Sequence, residues 1–581
     1  MAGTHDNSEL SLTGRRWVWP APLAADATAS VSLPAWVGAI LNRRGIVEPD
    51  DVERYLSPSL ATLDDPMQMA DMRRAVARVL DAITKGEPIT IYGDYDVDGV
   101  ASTTVLVEFL TRVGARVDYY LPHRTREGYG LNADAVRKLA SKTKVLITVD
   151  CGITAHDEIA LAQSRGVDVI VVDHHRVPDV LPPAVANLNP HRPDCQYPFK
   201  DLCAAGVAFM FAVAMRAALR ERGAFTDEPE PDLREMLDIV ALATVADMVP
   251  LQGTNRTLVA AGVRRMATTR RTGMRALLEV SLADPSAVTA TDLGFRLGPR
   301  INARGRISHA GTAVELLLTP DAARARSLAA ALDAANRKRR EIEQQTVDAA
   351  VAKVENEGLD KNAALVVFDP SWHPGVLGLV ATRLVSRFHR PAIVIGDGGK
   401  GSGRSIEGLD LHDSIEATSQ HLLRFGGHTA AAGVTVAPDR VEAFREAFAG
   451  EVERRIGAPP FVPVLRPELE VEPGTLSLDM LAQLDRLEPF GQANPEPLLV
   501  ARRLSVRNKR VVGQRHLKLK LGDAGLDAIG FGLGDVADEV PETVDVAFRL
   551  SRNRYRGRDS LQLKVEDLRH LSELQQPVGG Q

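Results

Sequence analysis

The sequence predicts a multidomain α/β protein, with a parallel-sheet domain, a long helical bridge, a second α/β lobe and a terminal β-barrel. Three observations carry this. A chain of 581 residues exceeds what one ordinary core can enclose. Between Met72 and Val172 short apolar runs alternate with stretches of helical periodicity, as in a parallel sheet covered by helices on both faces. From Asp321 to Asn356 there is no Gly or Pro, whereas beyond about residue 460 Pro-rich joints and short alternating runs replace the helical pattern. The chain accordingly divides into a lead-in, 1–60; the sheet domain with a helical extension, 61–320; a connecting helix, 321–356; the second lobe, 357–458; the barrel, 459–572; and a disordered tail, 573–581.

Composition narrows the class. Hydrophobic residues make up 45% and charged residues 25%, and no segment offers 18 uncharged apolar residues, so a membrane role is not indicated and a cytoplasmic location is expected. Cys151, Cys195 and Cys203 form no CxxC pair, which suits a reducing compartment without disulfides or structural zinc. A formal charge of -6 argues against a generally basic coat, although net charge hides local patches.

Residues 1–60 carry scattered helical patterns broken by Pro34 and Pro58, and they say little about chemistry. The helix Met72–Thr84 precedes a buried strand, Pro88–Tyr92. At its carboxyl end the stretch IYGDYDVDGVAS, Ile91–Ser102, sets Asp94, Asp96 and Asp98 on alternate positions, with Gly99 opening the helix Val100–Val113. The strand Arg116–Leu121 and the helix Asn132–Ser141 follow. The strand Lys144–Val149 ends in Asp150, and after the helix Ala155–Arg165 the strand Val167–Val172 ends in Asp173, His174 and His175. Parallel sheets bind ligands at the carboxyl ends of their strands, so acids from separate strands and a histidine pair converge on one edge. Carboxylate and imidazole donors suit Mn2+, with Mg2+ as an alternative, and five or six ligands suggest two ions. Leu233–Val249 reads as an apolar helix in which Asp247 is either a buried structural acid or a further ligand.

Rival readings of the acidic stretch are a solvated turn, a calcium loop and the nucleophile motif of haloacid-dehalogenase-type phosphatases. The calcium loop fails because Val105 stands where it needs a Glu. The phosphatase reading would make Asp96 a covalent nucleophile and leaves His174 without a role.

Residues 261–320 read as small helices ending in the segment Gly298–Gly305, where Arg300, Arg304 and Arg306 are surface charge or phosphate contacts. The run 321–356 predicts a helix approaching ~50 Å, too polar for a core helix. Ala363–Phe368 and Pro391–Ile395 are strands of the second lobe, with Trp372 and His373 in the loop between them and GSGRS, Gly401–Ser405, as a later loop. Over Ala501–His570 there are 15 Lys and Arg against 10 Asp and Glu, with clusters at Arg502, Arg503, Arg507, Lys509, Arg510 and at Arg552, Arg554, Arg556, Arg558 around Tyr555. Short alternating strands such as His516–Leu521 and Val544–Leu550 predict an antiparallel barrel, and its basic excess suits an oligonucleotide-binding (OB) fold that tracks single-stranded phosphates.

The motifs YGDYDVDGVAS, TVDCG (Thr148–Gly152), VDHH (Val172–His175) and ATVADMVPL (Ala243–Leu251) resemble, in order, the signatures of the DHH phosphoesterase superfamily. LGPRINARGR (Leu297–Arg306), SWHPGVLGLVATRL (Ser371–Leu384), GSGRS, FGGHTAAAGVT (Phe425–Thr435) and EPFGQANPEP (Glu488–Pro497) resemble its bacterial RecJ branch. The resemblance implies a DHH catalytic domain, a DHH-associated second lobe and a single-strand-specific 5'-to-3' DNA exonuclease of repair and recombination that releases 5'-mononucleotides with two Mn2+ or Mg2+ ions.

Carried over by position, Asp96, Asp98, Asp150, His174 and Asp247 are metal ligands with Asp150 as bridge, and Asp94 joins them. Tyr92 stands where the superfamily often has a His, which leaves the role of Asp94 open. His175 is a ligand or a donor to the scissile phosphate; with Asp98, Asp150 and His174 it makes up the catalytic set. Substrate contacts fall to Arg300, Asn302, Arg304, His373, Ser402, Arg404, Gly426, Gly427 and His428. Implied partners are single-stranded DNA, a helicase and a single-strand-binding protein, with the chain as a monomer. Two alternatives stay open: a superfamily phosphodiesterase acting on short oligonucleotides or cyclic dinucleotides, and a single-strand-binding scaffold that does not cut.

Overall fold

The computed structural model describes residues 10–20, 33–123, 127–128, 130–307, 311–555 and 557–571, without the side chains of residues 304–307 and 555. The predicted tail 573–581 and Arg556 lie outside the described residues, as do the side chains of Arg304, Arg306 and Tyr555. Two compact units result. One comprises Glu53–Arg339 with Glu488–Pro495, the other Met1–Val52, Arg340–Leu487 and Glu496–Gln581.

The first unit is built on β1 (Ile89–Gly93), α1 (Val97–Arg112), β2 (Val117–Tyr120), α2 (Ala133–Leu139), β3 (Val145–Val149), α3 (His156–Ser164), β4 (Asp168–Val172) and β5 (Ala186–Leu188). The strands lie in the order β2-β1-β3-β4-β5, every neighbouring pair parallel. Strand alternation sends successive side chains to opposite faces. Ile147 and Val149 therefore pack with Ile91, Ile170 and Val172 against α1 and α4 (Ala204–Glu221). Leu146 packs with Tyr92, Val169 and Val171 against α2 and α3. Both faces are covered, as the alternating pattern predicts.

Most boundaries fall within a residue or two of expectation, but α1 starts at Val97 rather than Val100. Asp96 is the cause: its Oδ1 accepts from the amides of Asp98 (2.9 Å) and Gly99 (3.1 Å) and so caps the helix. Gly99 lies inside the first turn instead of opening it. A Cβ there would stand 2.5 Å from the Asp94 carbonyl oxygen, so only glycine lets the turn lie over Asp94.

The expected helix Leu233–Val249 is shorter, a 3-10 turn Leu233–Met236 leading into α5 (Leu237–Ala246), with Asp247 at its end. A π-helical turn, Leu293–Leu297, runs into α6 (Gly298–Ile307). Then α7 (Ala322–Asn356) runs unbroken for 35 residues, about 50 Å at the standard rise. Its polarity does not keep it out of cores. Ala325, Leu328, Ala329 and Leu332 are buried in the first unit, and Ala350 and Val354 pack with Leu365, Val367 and Trp372 in the second.

The second unit contains β6 (Leu365–Phe368), α8 (Leu377–Phe388), β7 (Ala392–Ile395), β8 (Lys400–Arg404), β9 (Arg424–Gly427), β10 (Ala431–Thr435) and α9 (Val441–Ile456). Sheet order is β9-β10-β8-β7-β6, antiparallel except for β6 and β7. The expected loop at GSGRS is instead strand β8. It pairs on both sides, Gly401 with Ile395 and Val434, Gly403 with Ile393 and Ala432, and two ladders offset the poor strand propensity of glycine.

Farther on, β11 (Leu499–Val512), β12 (His516–Leu521), β13 (Leu526–Gly530), β14 (Thr543–Tyr555) and β15 (Arg558–Arg569) close into a five-stranded barrel, order β11-β12-β13-β15-β14, with β14 returning to β11. One pair, β13 with β15, is parallel where an antiparallel barrel was expected. The lead-in is tied to this barrel. Arg16–Trp17 pairs with Val464–Leu465, Trp17 Nε1 donates to Asp567 Oδ2 (2.8 Å), Thr13 Oγ1 donates to Asp567 Oδ1 (2.8 Å), and the Arg502 guanidinium lies 3.9 Å from the Trp19 ring centre.

Candidate metal centre

At the carboxyl edge of the parallel sheet the backbone aims each acid separately. Asp98, in the first turn of α1, receives Ala204 N–H at Oδ2 (2.7 Å) and Ala205 N–H at Oδ1 (2.8 Å), both at the N-terminus of α4. Asp150 follows β3 with φ 60°, a left-handed conformation that costs a non-glycine residue about 1–3 kcal/mol and that recurs at functional sites. Asp173 follows β4 and binds its own loop: Oδ1 accepts from His174 N (2.8 Å), His175 N (3.1 Å) and His175 Nδ1 (2.7 Å), and Oδ2 accepts from Ile153 N (3.0 Å).

These supports bring Asp94, Asp96, Asp98, Asp150, His174, His175 and Asp247 together. His174 Nε2 stands 3.4 Å from Asp150 Oδ1, 3.6 Å from Asp247 Oδ2 and 3.8 Å from Asp98 Oδ2. Donor atoms of Asp98, His174 and Asp247 lie within 4.8 Å of one another, as do those of Asp94, Asp96 and Asp150, and those of Asp150, His174 and His175.

Electrostatics sharpen the picture. Burial, reinforced by Asp96, pushes Asp98 up to about 7. Burial and the Asp98 and Asp96 charges push Asp247 to about 9, and Asp150 rises well above the carboxylate range for the same reasons. Burial, with the neighbouring His175, holds His174 down at about 4, so its imidazole is neutral at pH 7. Asp173 behaves oppositely: burial opposes its ionisation, but the His175 hydrogen bond and charge, with backbone amides, hold it at about 2.

His174 Nε2 and Asp247 Oδ2 are buried yet find no hydrogen-bond partner among the described residues. Carboxylates crowded around a neutral imidazole fit hard divalent cations with oxygen and nitrogen donors. Two separate triads offer places for two. Tyr92 takes no part: its hydroxyl donates to Gly130 O (2.9 Å), and its ring stacks on Tyr120, centres 5.6 Å apart.

Other predicted contacts scatter. Asn302 Oδ1 accepts from Val97 N (3.1 Å), bracing the loop that carries Asp96 and Asp98. Arg300 bonds Asp333 (3.0 Å), Arg296 O (2.7 Å) and Val280 O (3.3 Å), which leaves its guanidinium little to offer a phosphate. In the second unit a Cβ on Gly378, at the start of α8, would stand 3.0 Å from Arg404 Nη2 and 3.4 Å from Ser402 Oγ, so both side chains point at a helix N-terminus. Arg404 donates to Gly403 O and meets no carboxylate among the described residues. Ser402, Gly433 and Gly426 lie side by side across three strands, Gly427 pairs with Ala432, and His428 N donates to Ala431 O at the turn that follows. His373 is exposed, its Nδ1 accepting from Gly375 N (3.0 Å). On the barrel, Arg502 pairs with Glu470, Arg507 with Asp523, and Arg552 and Arg554 with Asp559, while the guanidinium groups of Arg503, Arg510 and Arg558 form no ion pair among the described residues.

Sequence reasoning missed two supports. Asp173 ends the same strand as the histidines, and its place in VDHH was the available signal. Ala204 and Ala205 act through backbone N–H groups, which leave no mark on residue type.

Comparison with known proteins places these features. Family models match at residues 88–244 (DHH family, N-terminal domain), 360–454 (DHHA1 domain) and 468–567 (RecJ OB domain). The single-stranded-DNA-specific exonuclease RecJ of Dickeya dadantii is 40% identical over 559 residues, 92% of this chain and 96% of that protein. Its Escherichia coli counterpart is 36% identical, over 94% of this chain and 97% of that one. The crystal structure of RecJ in complex with Mn2+ from Thermus thermophilus superposes with a TM-score of 0.83 at 31% identity, covering 97% of this chain and 80% of that chain. A second structure of the Thermus thermophilus protein is a complex with Mg2+, with a TM-score of 0.78 at 30% identity, covering 98% and 80%. The chain belongs to the RecJ family of single-stranded-DNA-specific exonucleases.

Proposed function

We propose that the chain hydrolyses phosphodiester bonds of single-stranded DNA from the 5' end, with two divalent ions, Mn2+ or Mg2+, and releases 5'-mononucleotides in repair and recombination. The observation that carries this is the pair of donor triads at one sheet edge, Asp94, Asp96, Asp150 and Asp98, His174, Asp247. Each triad would hold one ion, with Asp150, beside His174 Nε2, shared between them. When bound, such ions supply Lewis acidity, activation of water and neutralisation of phosphate charge.

The chain's own groups do the rest. His174 presents a neutral imidazole nitrogen. His175 donates a hydrogen bond from Nδ1 to Asp173 Oδ1, and its side chain, 40% exposed, would turn Nε2 to a phosphate oxygen. Ser402, Arg404 and the N-terminus of α8 form a cradle whose chemistry suits a terminal phosphate, and a phosphate anchor of this kind underlies 5' polarity. The exposed Arg503, Arg510 and Arg558 suit the strand's remaining phosphates. Action in the cytoplasm, beside a helicase and a protein that coats single strands, would suit a monomeric enzyme that needs unpaired DNA.

The test is end-labelled single-stranded DNA, with and without a 5' phosphate, incubated with Mn2+. Release of mononucleotides from the 5' end is expected. Release starting at the 3' end, or preference for a dinucleotide, would overturn the reading in favour of a small-oligonucleotide phosphodiesterase; binding without hydrolysis would favour a scaffold.

A further inference from the structure

The end of α5 carries more than Asp247. Met248, next in the chain, has φ 61° and is 69% exposed, and Phe295 is 81% exposed. Phe295 belongs to the π-helical turn Leu293–Leu297, a wide turn of a kind that recurs at functional sites. That turn presses on the elements that hold the metal centre. A Cβ on Gly294 would stand 3.4 Å from Val245, and one on Gly298 would stand 3.3 Å from Ala246 and 3.9 Å from Val97. Asn302, on the helix that continues the turn, accepts from Val97 N. Leu293 and Leu297 face inward and are fully buried, while Phe295 between them faces out. The adjacent cation, Arg296, is engaged with Asp292 (3.2 Å) and Leu282 O (3.2 Å).

We propose that Phe295 stacks on an unpaired base of the strand held at the metal centre, with Met248 packing beside it. The inference rests on the nuclease reading given above. Carboxylates and imidazoles at the centre act on the phosphodiester and are indifferent to whether its bases are paired. An apolar ring carried by the turn that packs against Val97, Val245 and Ala246, residues next to the candidate ligands, adds that selection, because every unpaired base offers a π face and a duplex hides it. Phenylalanine makes no hydrogen bond, so the contact tolerates any sequence.

The experiment measures binding of two 5'-phosphorylated strands of equal length, oligo-dT and a fully abasic strand, in EDTA so that neither is cut. The expected result is that the wild-type protein binds oligo-dT on the order of ten-fold more tightly than the abasic strand. Phe295→Ala loses most of that preference while its affinity for the abasic strand is unchanged, which excludes a folding defect. Phe295→Trp restores the preference, and its emission is quenched by oligo-dT and not by the abasic strand. Equal binding of the two strands by the wild type overturns the proposal. So does an undiminished preference in Phe295→Ala, the outcome expected if the exposed ring docks a protein. Mn2+-dependent digestion by the wild type is scored separately: hydrolysis with a Phe295-independent preference removes the stacking role and leaves the nuclease standing, and the converse result removes the nuclease alone.

Discussion

His174 Nε2 lies 3.4 Å from Asp150 Oδ1 and hydrogen-bonds to no described residue. The scaffold holds a neutral nitrogen against a carboxylate at a distance that a shared cation would close. His174→Ala and Asp150→Asn should each abolish Mn2+-dependent digestion of single-stranded DNA while circular dichroism stays that of the wild type. Asp150→Asn should also raise the unfolding temperature in EDTA at neutral pH, since an amide needs no proton taken up to sit in that crowd of buried acids. Full activity in either variant would remove the two-ion scheme.

Metal removal has a pH signature. In the folded, metal-free protein Asp98 is raised to about 7 and Asp247 to about 9, against 3.8 for the unconstrained group. The folded state binds more protons than the unfolded one between those values, so stability falls as pH rises from about 4 through 9. Thermal melts in EDTA across that window should show the decline, and added Mn2+ should largely erase it. A melting temperature flat with pH in EDTA would mean the acids are not crowded.

Asp173→Asn leaves every donor atom of the two triads in place but weakens the grip on His175. Supports of this kind are typically worth about 10–100-fold in metal affinity or activity. Titrating Mn2+ against rate separates the two effects, and a wild-type titration curve would show that Asp173 matters only to the fold.

Arg404→Ala should leave single strands bearing a 5' hydroxyl digested at nearly the wild-type rate and remove any advantage of a 5' phosphate. Arg404→Lys should recover part of it, because an ammonium supplies charge without the bidentate geometry. Competition between the two labelled strands reads this directly, and a 5'-phosphate advantage that survives in Arg404→Ala would place the anchor elsewhere.

Trp17→Phe strips the indole donor from Asp567, whose side chain is fully buried. A cost of about 1–3 kcal/mol is expected from the unpaired carboxylate oxygen, visible as a lower denaturant midpoint. An unchanged midpoint would show that water or Thr13 satisfies Asp567 instead.

What could be read from the sequence was what local pattern controls. Apolar runs ending in Asp94, Asp150 and His174 announce a parallel sheet with a loaded edge, because strand period and topology dictate where those ends go. Features that depend on distant partners stayed hidden. Asp98 is held by amides of Ala204 and Ala205, about a hundred residues away, and Arg300 is drawn off by Asp333. The GSGRS strand reads as a loop until Ile395 and Val434 are set on either side of Gly401. Asp94 and Tyr92 could not be ranked by sequence; the geometry turns Tyr92 towards Gly130 and Asp94 towards Asp96 and Asp150.

The strap from Thr13 to Trp19 has a consequence for synthesis. Trp17 and its partner Asp567 are 550 residues apart. At the usual elongation rate of about 5–20 residues per second, the strap waits on the order of a minute for the strand that receives it. Over that interval nearly all of Glu53–Arg339 has left the ribosome and can fold, while Trp17 and Trp19 still lack Leu465, Leu498, Val500 and Ala547, with which they cluster. The second unit is therefore finished only once Asp567 has been made, and until then the two tryptophans are where a nascent-chain chaperone would find this lobe.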